Sequence, residues 1–147
     1  MIQRIQTVYL IISAVLLGFL FLLPFAEIAK DGIVYLFNYK GILQDGTLKQ
    51  NGFSISVLIG IIIALHGVAI LSFKNRIRQI RLLVLSILLM IGLFGMFFFF
   101  TYYSFNDAQI SFKISIVFPV VAIILDYLAI RAIGKDEALI RSIDRIR

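Results

Sequence analysis

At 147 residues the chain has the length of one domain. Its composition, 61% apolar and 15% charged, lies far from the roughly 45–50% and 25% of soluble domains, and one core of this size cannot hide so much apolar surface from water. The absence of cysteine excludes a disulfide framework and thiolate metal centres, and the net charge of +6 has to be read from where the cations fall.

The first long stretch without Asp, Glu, Lys or Arg runs from Ile5 to Ala26. Roughly 20 apolar residues cross a bilayer as a helix, so a span is predicted over about 6–26. A cleaved leader fits less well. The apolar part, Val8 to Phe25, exceeds the usual h-region of about 7–15 residues, and Pro24 occupies a position before Ala26 where a small residue is wanted.

The outer loop, 27–52, is the longest connection. Ile33-Val34-Tyr35-Leu36-Phe37-Asn38-Tyr39 is rich in strand formers, Thr47-Leu48-Lys49-Gln50 can pair with it, and Asp45-Gly46 between them is a hairpin signal. A small β-hairpin is expected. Tyr35, Phe37 and Tyr39 fall two apart and share one strand face, which would cap the helices or meet a partner; capping is favoured, because a lone hairpin needs a surface to pack on.

A second span is predicted over 53–73, and a third over 82–103. Between them Lys74-Asn75-Arg76-Ile77-Arg78-Gln79-Ile80-Arg81 carries four cations and no acid. The next connection, near Tyr102 to Phe112, is short, with Tyr102 and Tyr103 suited to an aromatic belt. The fourth span, about 113–133, contains Asp126. Eleven Leu, Ile, Val or Phe residues between Ile114 and Ile130 favour insertion by roughly 5 kcal/mol, against about 3 for a central Asp. A kink is expected at Pro119.

Gly134 is expected to end that span. A cytoplasmic amphipathic helix then starts at Lys135-Asp136-Glu137, with Leu139, Ile140, Ile143 and Ile146 in one stripe and Arg141, Asp144 and Arg145 opposite. This tail, 134–147, either lies on the inner leaflet, the favoured reading, or docks a partner.

Charge sets the orientation. Arg4, the basic segment Lys74, Arg76, Arg78 and Arg81, and the tail cations Arg131, Lys135, Arg141, Arg145 and Arg147 make ten on one side. Lys30, Lys40, Lys49 and Lys113 make four on the other. The positive-inside rule puts both termini and the basic segment in the cytoplasm. The same basic loop would attract anionic lipids, although topology alone accounts for it.

Two ionisable residues lie well inside the spans. His66 and Asp126 each stand seven residues before a cytoplasmic span end, about 10 Å deep, and would meet if spans two and four are neighbours. A proton or cation relay competes here with a structural hydrogen bond, or with Asp126 reaching Arg131 through water; the structural readings are favoured. Ser13 and Ser86 lie in the same inner half, where serines commonly bond their own helix backbone. Ala14 with Gly18, and Gly60 with Ala64, are small-residue pairs suited to close helix contact. No phosphate-binding glycine loop, paired histidines or nucleophile with a nearby base is present, and no internal repeat.

The N-terminal string Met1-Ile2-Gln3-Arg4-Ile5-Gln6-Thr7-Val8-Tyr9-Leu10 and the C-terminal string Lys135-Asp136-Glu137-Ala138-Leu139-Ile140-Arg141-Ser142-Ile143-Asp144-Arg145-Ile146-Arg147 resemble the two ends of an uncharacterised family. Its members are small four-span inner-membrane proteins of Bacteroidota. The resemblance implies a bacterial inner membrane and draws attention to the cytoplasmic ends as partner surfaces; it implies no activity.

The expected fold is therefore an all-α membrane protein: one domain, 1–147, forming a four-transmembrane-helix bundle with a small extracytoplasmic β-hairpin and a cytoplasmic amphipathic C-terminal helix. The expected role is non-catalytic and without cofactor or metal, as an accessory or scaffolding subunit of a larger inner-membrane assembly. Its partners would be the lipid bilayer, anionic lipids and that complex, with no nucleic acid. The alternative is a small transporter or proton-coupled channel using Asp126 and His66.

Overall fold

The computed structural model describes residues 3–103 and 108–144. Four helices carry the chain: α1 (Gln3–Phe19), α2 (Phe53–Leu71), α3 (Arg76–Phe98) and α4 (Phe118–Asp144). Phe53–Leu71, Arg76–Tyr103 and Ile114–Ala138 are long and apolar enough to cross a membrane, while Ile5–Phe19 is a shorter apolar helix. In α1 the regular helix stops at Phe19, and turns bonded from Leu20 to Leu17 and from Phe21 to Gly18 lead to Pro24.

The helices form a ring in which α1 packs on α2 and α4, and α3 packs on α2 and α4. Their fully or nearly buried positions alternate three and four apart. They are Gln6, Leu10, Ser13, Leu17 and Leu20 on α1 and the turn after it; Ile55, Ile59, Ile62, His66 and Ala69 on α2; Gln79, Leu83, Ser86, Met90, Leu93 and Phe97 on α3; Ala122, Asp126, Ala129, Ile133 and Asp136 on α4. This spacing keeps one stripe of each helix on the bundle axis, as in a left-handed coiled coil. The outward faces are apolar as well, with Leu71, Leu88, Ile91 and Ile124 all more than half exposed. Such a surface suits hydrocarbon and not water.

The all-α expectation is wrong in one layer. Strands β1 (Ala26–Lys30), β2 (Ile33–Asn38), β3 (Gly41–Gln44), β4 (Thr47–Asn51) and β5 (Gln109–Phe112) form an antiparallel sheet in the order β4-β3-β2-β1-β5. The single hairpin becomes a four-stranded meander. Asp45-Gly46 is a turn, with φ of +47° and +79°, but it joins β4 to β3 and not to the aromatic strand. Asp31-Gly32 (φ +53° and +76°) repeats the device between β1 and β2; positive φ at both central residues matches the strands' right-handed twist. The third turn brings Gly41, at φ +123°, against Gly52, where a Cβ would lie 2.0 Å from the Gln50 carbonyl oxygen. Residues from the connection between α3 and α4 supply β5, which pairs with β1 (Phe112 opposite Ala26) and so closes the sheet across both loops.

One face of this sheet lies on the end of the bundle. Phe25, Phe37, Phe97 and Phe100 form an aromatic cluster, with ring centroids 4.6 Å apart for Phe25 and Phe97 and 5.8 Å for Phe37 and Phe100. Tyr35 and Tyr39 are half-buried against the same core, so the aromatic face of β2 caps the helices.

Two further expectations change. Gly134 does not end a helix, since α4 runs unbroken to Asp144. A helical glycine costs about 1 kcal/mol relative to alanine; buried Ile133 and Asp136 on either side hold this turn against α1 and offset that cost. The amphipathic tail is thus the end of α4. Leu139, Ile140 and Ile143 lie on its last turns, and Ile146 lies outside the described residues. Pro119 falls in the first turn of α4, after a short 3-10 segment, Ile114–Val117, where its missing N–H leaves no helical bond unmade.

Candidate functional site

Each helix contributes one polar side chain to a layer across the bundle axis: Ser13, His66, Ser86 and Asp126, all fully buried. Every one stands on the buried stripe between apolar neighbours. Towards the sheet lie Leu17, Ile62, Met90 and Ala122; towards the other end lie Leu10, Ala69, Leu83 and Ala129.

His66 is the hub. Its Nε2 is 3.0 Å from Asp126 Oδ1 and 2.9 Å from Ser13 Oγ. Its Nδ1 is 2.9 Å from the Ile62 carbonyl oxygen and 3.3 Å from Ser86 Oγ. A backbone carbonyl only accepts, so Nδ1 carries a proton. A hydrogen bond between Nε2 and Oδ1 needs one further proton, held by either atom. The pair is neutral overall whether that proton sits on the ring, facing a carboxylate, or on the carboxyl group. Ser13 also points at the Ala122 carbonyl at 3.5 Å, and Asp126 Oδ2 is buried with no hydrogen-bond partner among the described residues.

Helices α2 and α4 stand on opposite sides of the ring. His66 and Asp126 therefore meet across its centre and not as neighbours, and the serines of α1 and α3 flank the imidazole. Setting Ser13 and Ser86 aside as serines bonded to their own helices missed half of this layer. The signal was available: both fall on the alternating three-four stripe that passes through His66 and Asp126.

A second polar level lies beyond the next apolar layer, about two to three helical turns further from the sheet. Gln6 Nε2 donates to Asp136 Oδ2 at 2.6 Å, and Gln79 is 4% exposed beside them. Arg76 Nη1 stands 3.9 Å from Glu137 Oε2. The basic segment divides here: Arg76 is largely buried at the start of α3, whereas Lys74, Arg78 and Arg81 are exposed. Asn75 caps α3 by accepting from the Arg78 amide. Arg131 is exposed, and Asp126 bonds to His66 instead. The small-residue pairs do not mediate helix contact, since a Cβ added at Gly18 or Gly60 meets nothing within 4 Å.

Residues 2–146 match a family described as a domain of unknown function, DUF4293. The chain belongs to that family. No curated protein and no solved structure matches it. Chemically, the buried layer can hold and relay one proton between an imidazole and a carboxyl group, and it can lock the helices in register. Both uses draw on the same four residues.

Proposed function

We propose that this protein is a non-catalytic, multi-pass protein of a bacterial inner membrane that serves as an accessory or scaffolding subunit of a larger assembly. In this reading all four helices span, the sheet lies outside, and both termini and the turn from α2 to α3 are cytoplasmic, following the ten-to-four distribution of cations.

The supporting observation is the outward face of the sheet. Paired rows put Leu36 beside Leu43, and Leu43 beside Leu48, with Val34 two residues along. Val34 is 57% exposed and Leu48 53%. This face points away from the helices, so the bilayer that covers their outer surfaces does not cover it. A contiguous apolar patch facing water marks an interaction surface.

The test is purification of the tagged protein from its native membrane in mild detergent, with mass spectrometry of what remains bound. A stoichiometric partner that is lost in a Leu36→Glu, Leu48→Glu variant supports the reading. A protein that leaves the membrane alone contradicts it.

A second reading has its own observation. Asp126 Oδ2 has no hydrogen-bond partner among the described residues, beside the Oδ1 that bonds to His66, as a group in a proton pathway would be. A small transporter or proton-coupled channel predicts pH-dependent flux in proteoliposomes that Asp126→Asn abolishes. The apolar layers on either side of the polar one weigh against it, because a conducting path needs access to water from both ends.

A further inference from the structure

At the end of the bundle away from the sheet, α1, α3 and α4 continue the buried stripe beyond the point where α2 stops at Leu71. The missing turn leaves a groove of about 600 Å³ lined by Gln6, Thr7, Val8, Ile70, Leu71, Phe73, Arg76 and Gln79. That volume is within the range of ligand sites, about 300–1,000 Å³. The walls are mostly apolar, from Val8, Ile70, Leu71 and Phe73, and the first turn of α3 contributes Arg76 and Gln79.

Arg76 supplies the charge at that end. Its Nη1 is buried and has no hydrogen-bond partner among the described residues. Glu137 Oε2 forms an ion pair with it at 3.9 Å, too long for a hydrogen bond, and Asp136 Oδ2 accepts from Gln6. The segment 74–81 holds four cations, Lys74, Arg76, Arg78 and Arg81, and the first turn of α3 carries no acid. A guanidinium whose Nη1 makes no hydrogen bond among the described residues is suited to contact with a phosphate.

We infer that this groove binds one anionic phospholipid of the cytoplasmic leaflet, with its phosphate on Arg76 and an acyl chain along Val8, Ile70, Leu71 and Phe73. The inference rests on the membrane orientation proposed above. Basic pockets between helices at the cytoplasmic side hold anionic headgroups in this way. Arg76 makes the site a pocket, distinct from the diffuse attraction exerted by the exposed Lys74, Arg78 and Arg81.

The test compares wild type with Arg76→Gln, Lys74→Gln/Arg78→Gln and Leu71→Trp, the last filling the apolar wall. Each is reconstituted in nanodiscs of phosphatidylcholine with a minor fraction of phosphatidylglycerol, and lipid retained after detergent extraction is counted by native mass spectrometry. The expected result is one retained phosphatidylglycerol per wild-type chain, a loss of tenfold or more in Arg76→Gln and Leu71→Trp, and retention in Lys74→Gln/Arg78→Gln. Inorganic phosphate should raise the wild-type Tm in detergent far less than phosphatidylglycerol does. Equal loss in Arg76→Gln and Lys74→Gln/Arg78→Gln, or equal retention of phosphatidylcholine, would overturn the site in favour of general attraction. Stabilisation by inorganic phosphate alone would also overturn it. Where Arg76→Gln does not fold, Leu71→Trp decides. A wild-type chain that never enters the bilayer contradicts the membrane reading; an inserted wild-type chain that retains no anionic lipid contradicts this inference alone.

Discussion

Replacing His66 by alanine removes the hub of the buried layer, and the consequences can be worked from its partners. Asp126 Oδ1 bonds to His66, and Oδ2 has no hydrogen-bond partner among the described residues. His66→Ala therefore strands a buried carboxyl group, a defect that costs about 3–5 kcal/mol where an ion pair is broken inside a protein. Asp126→Ala removes one bond and leaves the imidazole with Ser13, Ser86 and the Ile62 carbonyl. Interhelical hydrogen bonds in membranes average about 0.6 kcal/mol and reach about 1.7, so this variant should lose roughly 1 kcal/mol. Once Asp126 is gone, His66→Ala no longer strands a buried carboxyl group. The double variant should then be less destabilised than the sum of the singles by roughly 1–3 kcal/mol. The assay is a double-mutant cycle by reversible unfolding in mixed micelles, with helicity as the signal. Singles that add to within about 0.5 kcal/mol, or Asp126→Ala costing more than His66→Ala, would refute the reasoning.

Other outcomes follow from the same coordinates. Ser13→Ala and Ser86→Ala should each cost about 0.6 kcal/mol in wild type and close to nothing in a His66→Ala background, measured in the same assay. Gly41→Ala should disrupt the sheet by roughly 3 kcal/mol or more, because its Cβ would meet the Gln50 carbonyl oxygen at 2.0 Å; Gly46→Ala has open space and only the left-handed backbone to oppose it, a cost of about 1–2 kcal/mol. Limited proteolysis of the outer loop would report both. Truncation after Gly134 removes the Gln6–Asp136 bond and should lower Tm by several degrees relative to truncation after Ala138, which keeps it.

The hydrophobic runs revealed the helices because their length and lack of charge are local properties. The sheet was partly hidden. Ile33–Asn38 and the Asp45-Gly46 turn were legible, but β1 contains Glu27 and Lys30, β3 is four residues long, and β5 is specified only by its pairing with β1 across more than eighty residues. Gly41 and Gly52 carry no local signal of their contact. In the buried layer, His66 and Asp126 stand out because charge at that depth is costly. Ser13 and Ser86 are inconspicuous by type and are identified by their position on the stripe. Gly134 misled because an end signal for a helix is weaker than the packing of Ile133 and Asp136 around it.

The outward sheet face, the lipid groove and the sealed polar layer all depend on how the chain sits in the bilayer. Its lack of cysteine makes that directly measurable. Single cysteines would be placed at Lys49 on β4, at Arg78 in the first turns of α3, and at Ile91 on the outward face of α3, then probed in intact cells and inverted vesicles with a membrane-impermeant maleimide. The account predicts labelling of Lys49→Cys from outside only, of Arg78→Cys from the cytoplasmic face only, and of Ile91→Cys from neither. Labelling of Lys49→Cys and Arg78→Cys from the same side, or free labelling of Ile91→Cys, would contradict it.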